Sequence, residues 1–450
     1  MRRVIGGLWA GWVSAAICYA EYVGLGAMLG NALIGYGDQS KAVGTLLVVL
    51  AASITCLILS LRRLPLLGGP RAASLSILVL ALLSLQSHYP TSSAGQLAVL
   101  AGLMLGCAFM LLLGSSQAVQ AAFDAMPVWL VPSFIYASSV SIVASATQKY
   151  LHTCLLLSEW QTWLIFLTGT VSGLLWLVLC KQGRPDKPWS ILLRSMQGLS
   201  LVVGAGVAWL LYAHSALAHA SAGMCARLGV VELRMDTLSS RLSQVADPAI
   251  WGSNWQAIAW AFLWGIFVGL VLCIETRTTV DALARHLVPP PSASAHHRYH
   301  PSALTRSMAG TNALITPAML VPSALSQSRT LVLWGLFRPS SFAVFIHALA
   351  LLLIAFMGST WLARLPQIAL AVLMTLVACS MLGDKLVEVW QQSHSPEHAG
   401  VSRVMGLWLV MAISILSGHV MLGFGLPALF FLGPYLRQTY FARQKKRLTE

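Results

Sequence analysis

Four ionisable residues stand inside otherwise apolar stretches of this sequence: Glu21, Arg71, Glu275 and Arg329. A charge in such a stretch is costly to bury, so it marks a binding site, a coupling site or a structural ion pair. Two of the four lie in segments whose small residues and prolines would start a helix part-way through a span. The first is Gly68-Gly69-Pro70-Arg71-Ala72-Ala73-Ser74, where proline suits a first helical turn and glycine lets backbone approach a ligand. The second is Pro322-Ser323-Ala324-Leu325-Ser326-Gln327-Ser328-Arg329, which follows the small-residue stretch Gly310-Thr311-Asn312. Two helix N-termini facing each other would direct unpaired N–H groups and positive dipole ends at one place, a setting that favours an anion. Ser326 and Ser328 would add hydroxyl donors, and Arg329 a fixed charge with a bidentate fork. The plainer reading of the same residues is an ion pair that locks helices together, or snorkelling from a span end, for which Arg277 is better placed.

The elements that must position these side chains are membrane helices. Of the 450 residues, 57% are hydrophobic and only 9% charged, and the mean hydropathy is +0.75. A surface in water needs about 25% charged residues. Apolar runs near the roughly 20 residues that cross a bilayer core recur along the chain. They cover 46–61, 97–113, 128–146, 163–180, 199–213, 258–274, 342–357, 366–381, 404–416 and 421–435. Backbone in lipid must bond internally, which selects helices. Segments 6–35, 70–85 and 310–336 are less regular, interrupted by Gly, Pro or polar residues, the pattern of half-helices at a midplane site. The apolar stretch after Arg2 and Arg3 lacks a small-residue cleavage site and reads as the first span.

The formal net charge of +14 is spread over connecting loops, so it reflects topology rather than nucleic-acid binding. With both termini cytoplasmic, Arg2, Arg3, Arg62, Arg63, Lys181, Arg184, Lys187, Arg285, Arg298, Arg338 and the tail Arg443, Lys445, Lys446 and Arg447 all fall inside. Residues 216–254, of mixed charge, then form an outer loop between two membrane halves, 1–215 and 255–441; 286–301 is a cytoplasmic linker and 442–450 a basic tail. His296, His297 and His300 read as solvated linker rather than metal ligands. His88, His152, His347 and His419 read as interfacial, and Trp9, Trp129, Trp163, Trp255 and Trp361 as belt residues. Gly102, Gly106, Gly204 and Gly206 read as close helix packing. The eight cysteines lack CxxC spacing, so neither a disulfide framework nor a metal site is expected.

Ala10-Gly11 and Ala20-Glu21-Tyr22-Val23-Gly24-Leu25-Gly26 through Gly30 resemble the first-span pattern of the sulfate permease (SulP) family of anion carriers. Gly69-Pro70 resembles the family's Gly-Pro before its third span, and Met126-Pro127 through Gln148 its fifth-span region. Glu275 stands where the family has a Glu near the end of its eighth span. Ser326-Gln327-Ser328-Arg329-Thr330 is similar to its tenth-span Ser-x-Ser-Arg-Ser, and Leu365-Pro366 to the start of its twelfth. The order and spacing of these motifs carry the resemblance over nearly the whole chain.

The resemblance implies an all-α polytopic membrane protein of about fourteen transmembrane segments in an inverted repeat of seven plus seven, with core and gate domains. The halves 1–215 and 255–441 would be the two repeats. An anion would lie between the third and tenth half-helices, touched by Glu21, Tyr22, Leu25, Arg71, Ala72, Ala73, Ser326, Gln327, Ser328 and Arg329, with Glu275 and Glu21 orienting or coupling. The core would move like an elevator in a homodimer of the inner or plasma membrane. Chloride, sulfate, bicarbonate or a dicarboxylate would be the cargo, exchanged or carried with H+ or Na+, and no cofactor is implied. The sequence departs from the pattern in three places. Ala20-Glu21 replaces Pro-Gln, which makes Glu21 a candidate proton site. Arg71 replaces a small apolar residue and could bind the anion or pair with Glu21. No STAS domain is expected after the tail.

A nucleobase or xanthine permease of the same architecture is the alternative, but such permeases place a carboxylate on the tenth span, where this sequence has an arginine. A non-transporting scaffold is a further alternative. No HExxH or nucleophile–base constellation appears, so an enzyme is not expected.

Overall fold

The computed structural model describes residues 2–33, 40–89, 93–116, 159–181, 199–215, 248–284, 301–315, 321–362, 366, 368–379 and 401–417, and scattered positions between 119 and 147. Its elements, in order, are α1 (Arg2–Ala32), α2 (Ser40–Leu61), β1 (Gly68–Gly69), α3 (Ala72–His88), α4 (Ser93–Gly114), α5 (Glu159–Lys181), α6 (Leu199–Ala213) and α7 (Pro248–Ser253). There follow α8 (Trp255–Ala284), α9 (Pro301–Ile315), β2 (Ala324–Leu325), α10 (Gln327–Leu336), α11 (Ser341–Leu362), α12 (Ile368–Cys379) and α13 (Val401–Leu416). Among the described residues, four stretches are long and apolar enough to cross a bilayer: Val4–Gly30, Val43–Leu61, Trp160–Leu179 and Trp255–Arg277. Of the expected runs, 421–435 lies outside the described residues and 128–146 nearly so. So do 216–247 of the expected outer loop, 286–300 of the expected linker with its histidines, and the tail; 248–253 of the loop is the short helix α7, and Pro301 already opens α9.

Segment 6–35 corrects the expectation of a broken span, because α1 runs unbroken for 31 residues. Its glycines are places where other helices come close. A Cβ on Gly11 would meet Ile346 and the Ala343 carbonyl of α11, one on Gly24 would meet Leu373 and Met374 of α12, and one on Gly26 would meet Thr45 of α2. Small residues let helix backbones approach where hydrophobic burial gives no net drive between helices in lipid. The crossing of α4 and α8 works the same way. Gly106 faces the Phe262 carbonyl, Gly265 faces that of Leu103, and Gly102 faces Ile258. Gly204 packs against Leu376 and Gly169, whereas Gly206 borders open space, so close packing does not explain it.

Segment 310–336 does break, whereas 70–85 is continuous in α3 from Ala72 and begins immediately after a break. After α2 the chain turns at Arg63, whose φ of 58° is left-handed, and re-enters the protein as β1. After α9, β2 arrives antiparallel to β1, pairing Gly68 with Leu325 and Gly69 with Ala324. The Ser326 N–H extends the ladder to the Leu67 carbonyl at 2.9 Å. Side chains tie the remaining exposed backbone: Leu67 N–H donates to Thr330 Oγ1 (3.0 Å) and Thr279 Oγ1 donates to the Leu325 carbonyl (3.2 Å). Asn312 of α9 braces the approach to β2, accepting from Ser323 N–H at 2.7 Å and donating to its carbonyl at 2.8 Å. Unwound backbone inside a membrane protein persists only with such partners. α10, at 10 residues, is about 15 Å long and spans half a bilayer.

The ends of the described bundle are distinguishable. Gln86 of α3 donates to the Ala32 carbonyl at one end (2.5 Å). At the other end, Arg62 Nη1 donates to Ser307 Oγ (2.7 Å), Ser60 Oγ to the Ser341 carbonyl (2.8 Å) and Trp334 Nε1 to the Pro65 carbonyl (2.8 Å). A Cβ on Gly6 of α1 would press on Phe337 there. This end gathers the start of α1, the end of α2, the start of α9, the end of α10 and the start of α11.

Candidate functional site

α3 and α10 begin on either side of the β1–β2 crossing, so their N-termini meet. Arg71 is the N-cap of α3 and makes no side-chain cap bond. Ser326 is the N-cap of α10, and its hydroxyl oxygen accepts from the Arg329 N–H at 3.4 Å. The same oxygen accepts from Arg71 Nη1 at 2.5 Å. The Ser326 oxygen thus joins both helix starts as an acceptor. Arg71 Nε lies 3.9 Å from Glu275 Oε1 on α8, an ion pair beyond direct hydrogen-bond reach.

Arg329 lies deepest, 2% exposed. Its Nε donates to Glu21 Oε2 (3.0 Å) and its Nη2 to Oε1 (2.6 Å), a fork-on-fork pair with α1. Nη2 also reaches the Pro70 carbonyl (2.9 Å) and Nη1 the Tyr22 hydroxyl (2.9 Å), while the guanidinium stacks 4.2 Å over the Tyr22 ring. Gly69, at φ 152°, makes room for this. A Cβ there would sit 2.8 Å from the Tyr22 hydroxyl and 3.1 Å from Arg329 Nη1. Glu21 therefore pairs with Arg329, and the alternative pairing of Glu21 with Arg71 is not the one formed.

Two arginines and two carboxylates thus converge from α1, α3, α8 and α10 in a formally neutral cluster, with Arg71, at 23% side-chain exposure, and Glu21, at 20%, its most accessible members. Gln327 is half-buried at the start of α10, Ala72 is buried in the first turn of α3, and Leu25 belongs to the main apolar core with no described contact to the charges. The side chains of Ala73 and Ser328 lie outside the described set. Residue types alone did not single out Asn312, Thr279 or Thr330. Their signal was a polar side chain in an apolar run, shared with many serines and threonines that bond only to their own helix.

His347 corrects another expectation. It is fully buried, not interfacial, and its Nδ1 lies 2.8 Å from Ser14 Oγ on α1. The Ser14 hydroxyl donates to the Gly11 carbonyl at 3.1 Å, and a hydroxyl has one proton, so the ring is assigned Nδ1–H. Trp9, Trp163 and Trp255 are exposed at 66%, 42% and 63%, fitting a belt, whereas Trp264 and Trp408 are buried. Among the described residues Cys18, Cys56, Cys107, Cys273 and Cys379 are free thiols.

No protein-family sequence model and no curated protein sequence matches the chain. Solved structures do. The transmembrane domain of a cyanobacterium bicarbonate transporter, BicA, superposes with a TM-score of 0.58 at 14% identity over 95% of this chain and 98% of that one. The overall structure of SLC26A9 gives 0.58 at 15% identity, covering 95% of this chain and 65% of that one. The murine SLC26A9 anion transporter in its inward-facing state gives 0.57 at 15%, covering 95% and 68%. At 14–15% identity these neighbours show a shared fold, and that fold agrees with the membrane-helical architecture expected from the sequence. This chain is a multi-pass, mostly helical membrane protein with the fold of the BicA and SLC26A9 membrane regions over nearly its whole length.

Proposed function

We propose that the chain is a secondary transporter of a small anion, in the manner of the SulP carriers. The observation that carries this reading is the bidentate grip of Arg329 on the Glu21 carboxylate at the meeting point of two helix N-termini. An arginine that already holds an RCOO− group in its fork has the donor geometry for a planar oxyanion or a free carboxylate. Arg71 adds a second, more accessible cation, joined to the first through Ser326. BicA is a bicarbonate transporter and SLC26A9 an anion transporter, which supports a small anion as the substrate; sulfate, bicarbonate, chloride and dicarboxylates are the candidates.

On this reading Glu21 is a tethered competitor for Arg329. A substrate anion binds when the carboxylate leaves, and protonation of Glu21 makes it leave, so anion and proton move together. Glu275 holds Arg71 toward the site. The membrane halves 1–215 and 255–441 form two inverted repeats of about seven spans each, with the α3–α10 core moving against a gate. The protein acts as a homodimer in the inner or plasma membrane with both termini cytoplasmic.

The test is tracer uptake into proteoliposomes with sulfate, bicarbonate, chloride, a dicarboxylate and uracil, in the wild type and in Arg329→Ala. Uptake of one anion, lost in the variant, is the expected result. Uptake of uracil alone would assign the chain to the nucleobase permeases, and no uptake under any gradient would sink the transporter reading.

A further inference from the structure

The end of the bundle where α2 and α10 finish carries a ring of exposed arginines drawn from distant parts of the sequence. Arg62 and Arg63 follow α2, Arg306 lies in the first turns of α9, and Arg338 follows α10. The Arg62–Ser307, Ser60–Ser341 and Trp334–Pro65 hydrogen bonds hold these element ends together. A small apolar cluster including Leu59, Leu64, Leu304 and Met308, separate from the main core and capped by Trp334, supports them from below. Arg62 has a structural duty to Ser307. Arg63, Arg306 and Arg338 are exposed, and none has a carboxylate partner among the described residues. At the opposite end, the described residues 29–33, 86–89 and 248–258 contain no Lys or Arg, and the start of α2 there carries a single cation, Lys41.

What lies beside the ring identifies its ligand. Leu61, immediately before Arg62, is 72% exposed, and Val4 and Ile5, at the start of α1 near Phe337, are 52% and 57% exposed. Exposed aliphatic side chains directly next to guanidinium groups that have no carboxylate partner among the described residues form the profile of a bilayer boundary, acyl chains on one side and headgroups on the other.

We propose that Arg63, Arg306 and Arg338 bind the phosphate headgroups of anionic phospholipids in the adjacent leaflet. The left-handed turn at Arg63 directs the chain back into the protein as β1, and Arg338 follows the helix that starts with Ser326 and Arg329. The headgroup site and the charged cluster are thus the two ends of α10, about 15 Å apart. The inference is independent of which solute is carried.

The test uses the full-length protein purified in detergent, with phosphatidylglycerol, phosphatidylcholine or inorganic phosphate added. Retained lipid is counted by native mass spectrometry, and the thermal unfolding midpoint is followed alongside. In the wild type, phosphatidylglycerol alone should be retained and should raise the midpoint. The combined variant Arg63→Gly, Arg306→Gln, Arg338→Gln should lose both effects, with affinity falling on the order of fivefold per arginine removed. Arg63→Gly alone, at an exposed position whose backbone already suits glycine, provides a folded single-site version with a partial loss. Equal retention in wild type and variants, or equal retention of phosphatidylcholine, would overturn the proposal. Equal protection by inorganic phosphate would also overturn it, because the site would then be one for a free ion.

Discussion

Arg329 uses every edge of its guanidinium: two atoms on Glu21, one on the Tyr22 hydroxyl, one shared with the Pro70 carbonyl, and its face on the Tyr22 ring. A buried charge left without its partner costs about 3–5 kcal/mol, whereas losing one hydrogen bond to a charged group costs about 1.5–3 kcal/mol. Glu21→Ala should therefore lower the unfolding midpoint more than Tyr22→Phe, which keeps the ring under the guanidinium, in thermal unfolding of the detergent-solubilised protein. Glu21→Gln separates stability from coupling. In the wild type an inward proton gradient should accelerate anion uptake, because protonation frees Arg329. In Glu21→Gln uptake should be flat with pH across the range where the wild type responds. A pH response unchanged in the variant would exclude Glu21 as the coupling group. The spacing of Glu21, Arg71, Glu275 and Arg329 marked them as the chemically interesting residues, but their partners were not legible. Arg329 and Glu21 are 308 residues apart, and no local rule chooses between that pairing and Arg71 with Glu21.

At the scale of elements, the site depends on two strands of two residues each and on the side chains that satisfy their backbone. Asn312 bonds both backbone polar groups of Ser323 in a buried setting. Asn312→Ala would leave a buried N–H and carbonyl without those partners, at about 1–3 kcal/mol each at most. A lower unfolding midpoint is expected, together with weaker uptake, because β2 sets the start of α10. Gly69→Ala tests the opposite strand. Its φ of 152° and the contacts waiting for a Cβ leave no room next to Tyr22 and Arg329, so uptake should fall to background, even in protein that still elutes as a folded peak. The break in 310–336, and the one just before α3 at Gly68-Gly69-Pro70, were readable from Gly, Pro and small polar residues. The break expected in 6–35 does not exist, because glycine in lipid serves helix contact as often as it ends a helix, and the two uses look alike until the neighbouring helix is known.

At the scale of the molecule, the helices divide by what surrounds them. Val4–Gly30 is mostly buried and Trp160–Leu179 mostly exposed, so α1 runs through the middle of the bundle and α5 lies at its periphery. The arginine-rich end should face the cytoplasm by the positive-inside bias. An epitope added before Met1 should therefore be reached by antibody or protease only after permeabilisation of intact cells. Labelling without permeabilisation would invert the assigned orientation and move the headgroup site to the other leaflet.

Composition and the recurrence of apolar runs determined that the chain is a multi-pass helical membrane protein, because the bilayer imposes one length and one hydrogen-bonding solution on every span. The half-helix starts at Gly69-Pro70 and Ser326 were likewise local, written in residues with special backbone preferences. Only the tertiary structure decided that Arg329 holds Glu21, that Ser326 bridges both helix starts, that His347 is buried against Ser14, and that four arginines from three regions of sequence share one end. Each of those pairings is made by packing between helices distant in sequence, and in a chain this apolar one helix face resembles the next until its neighbour is in place.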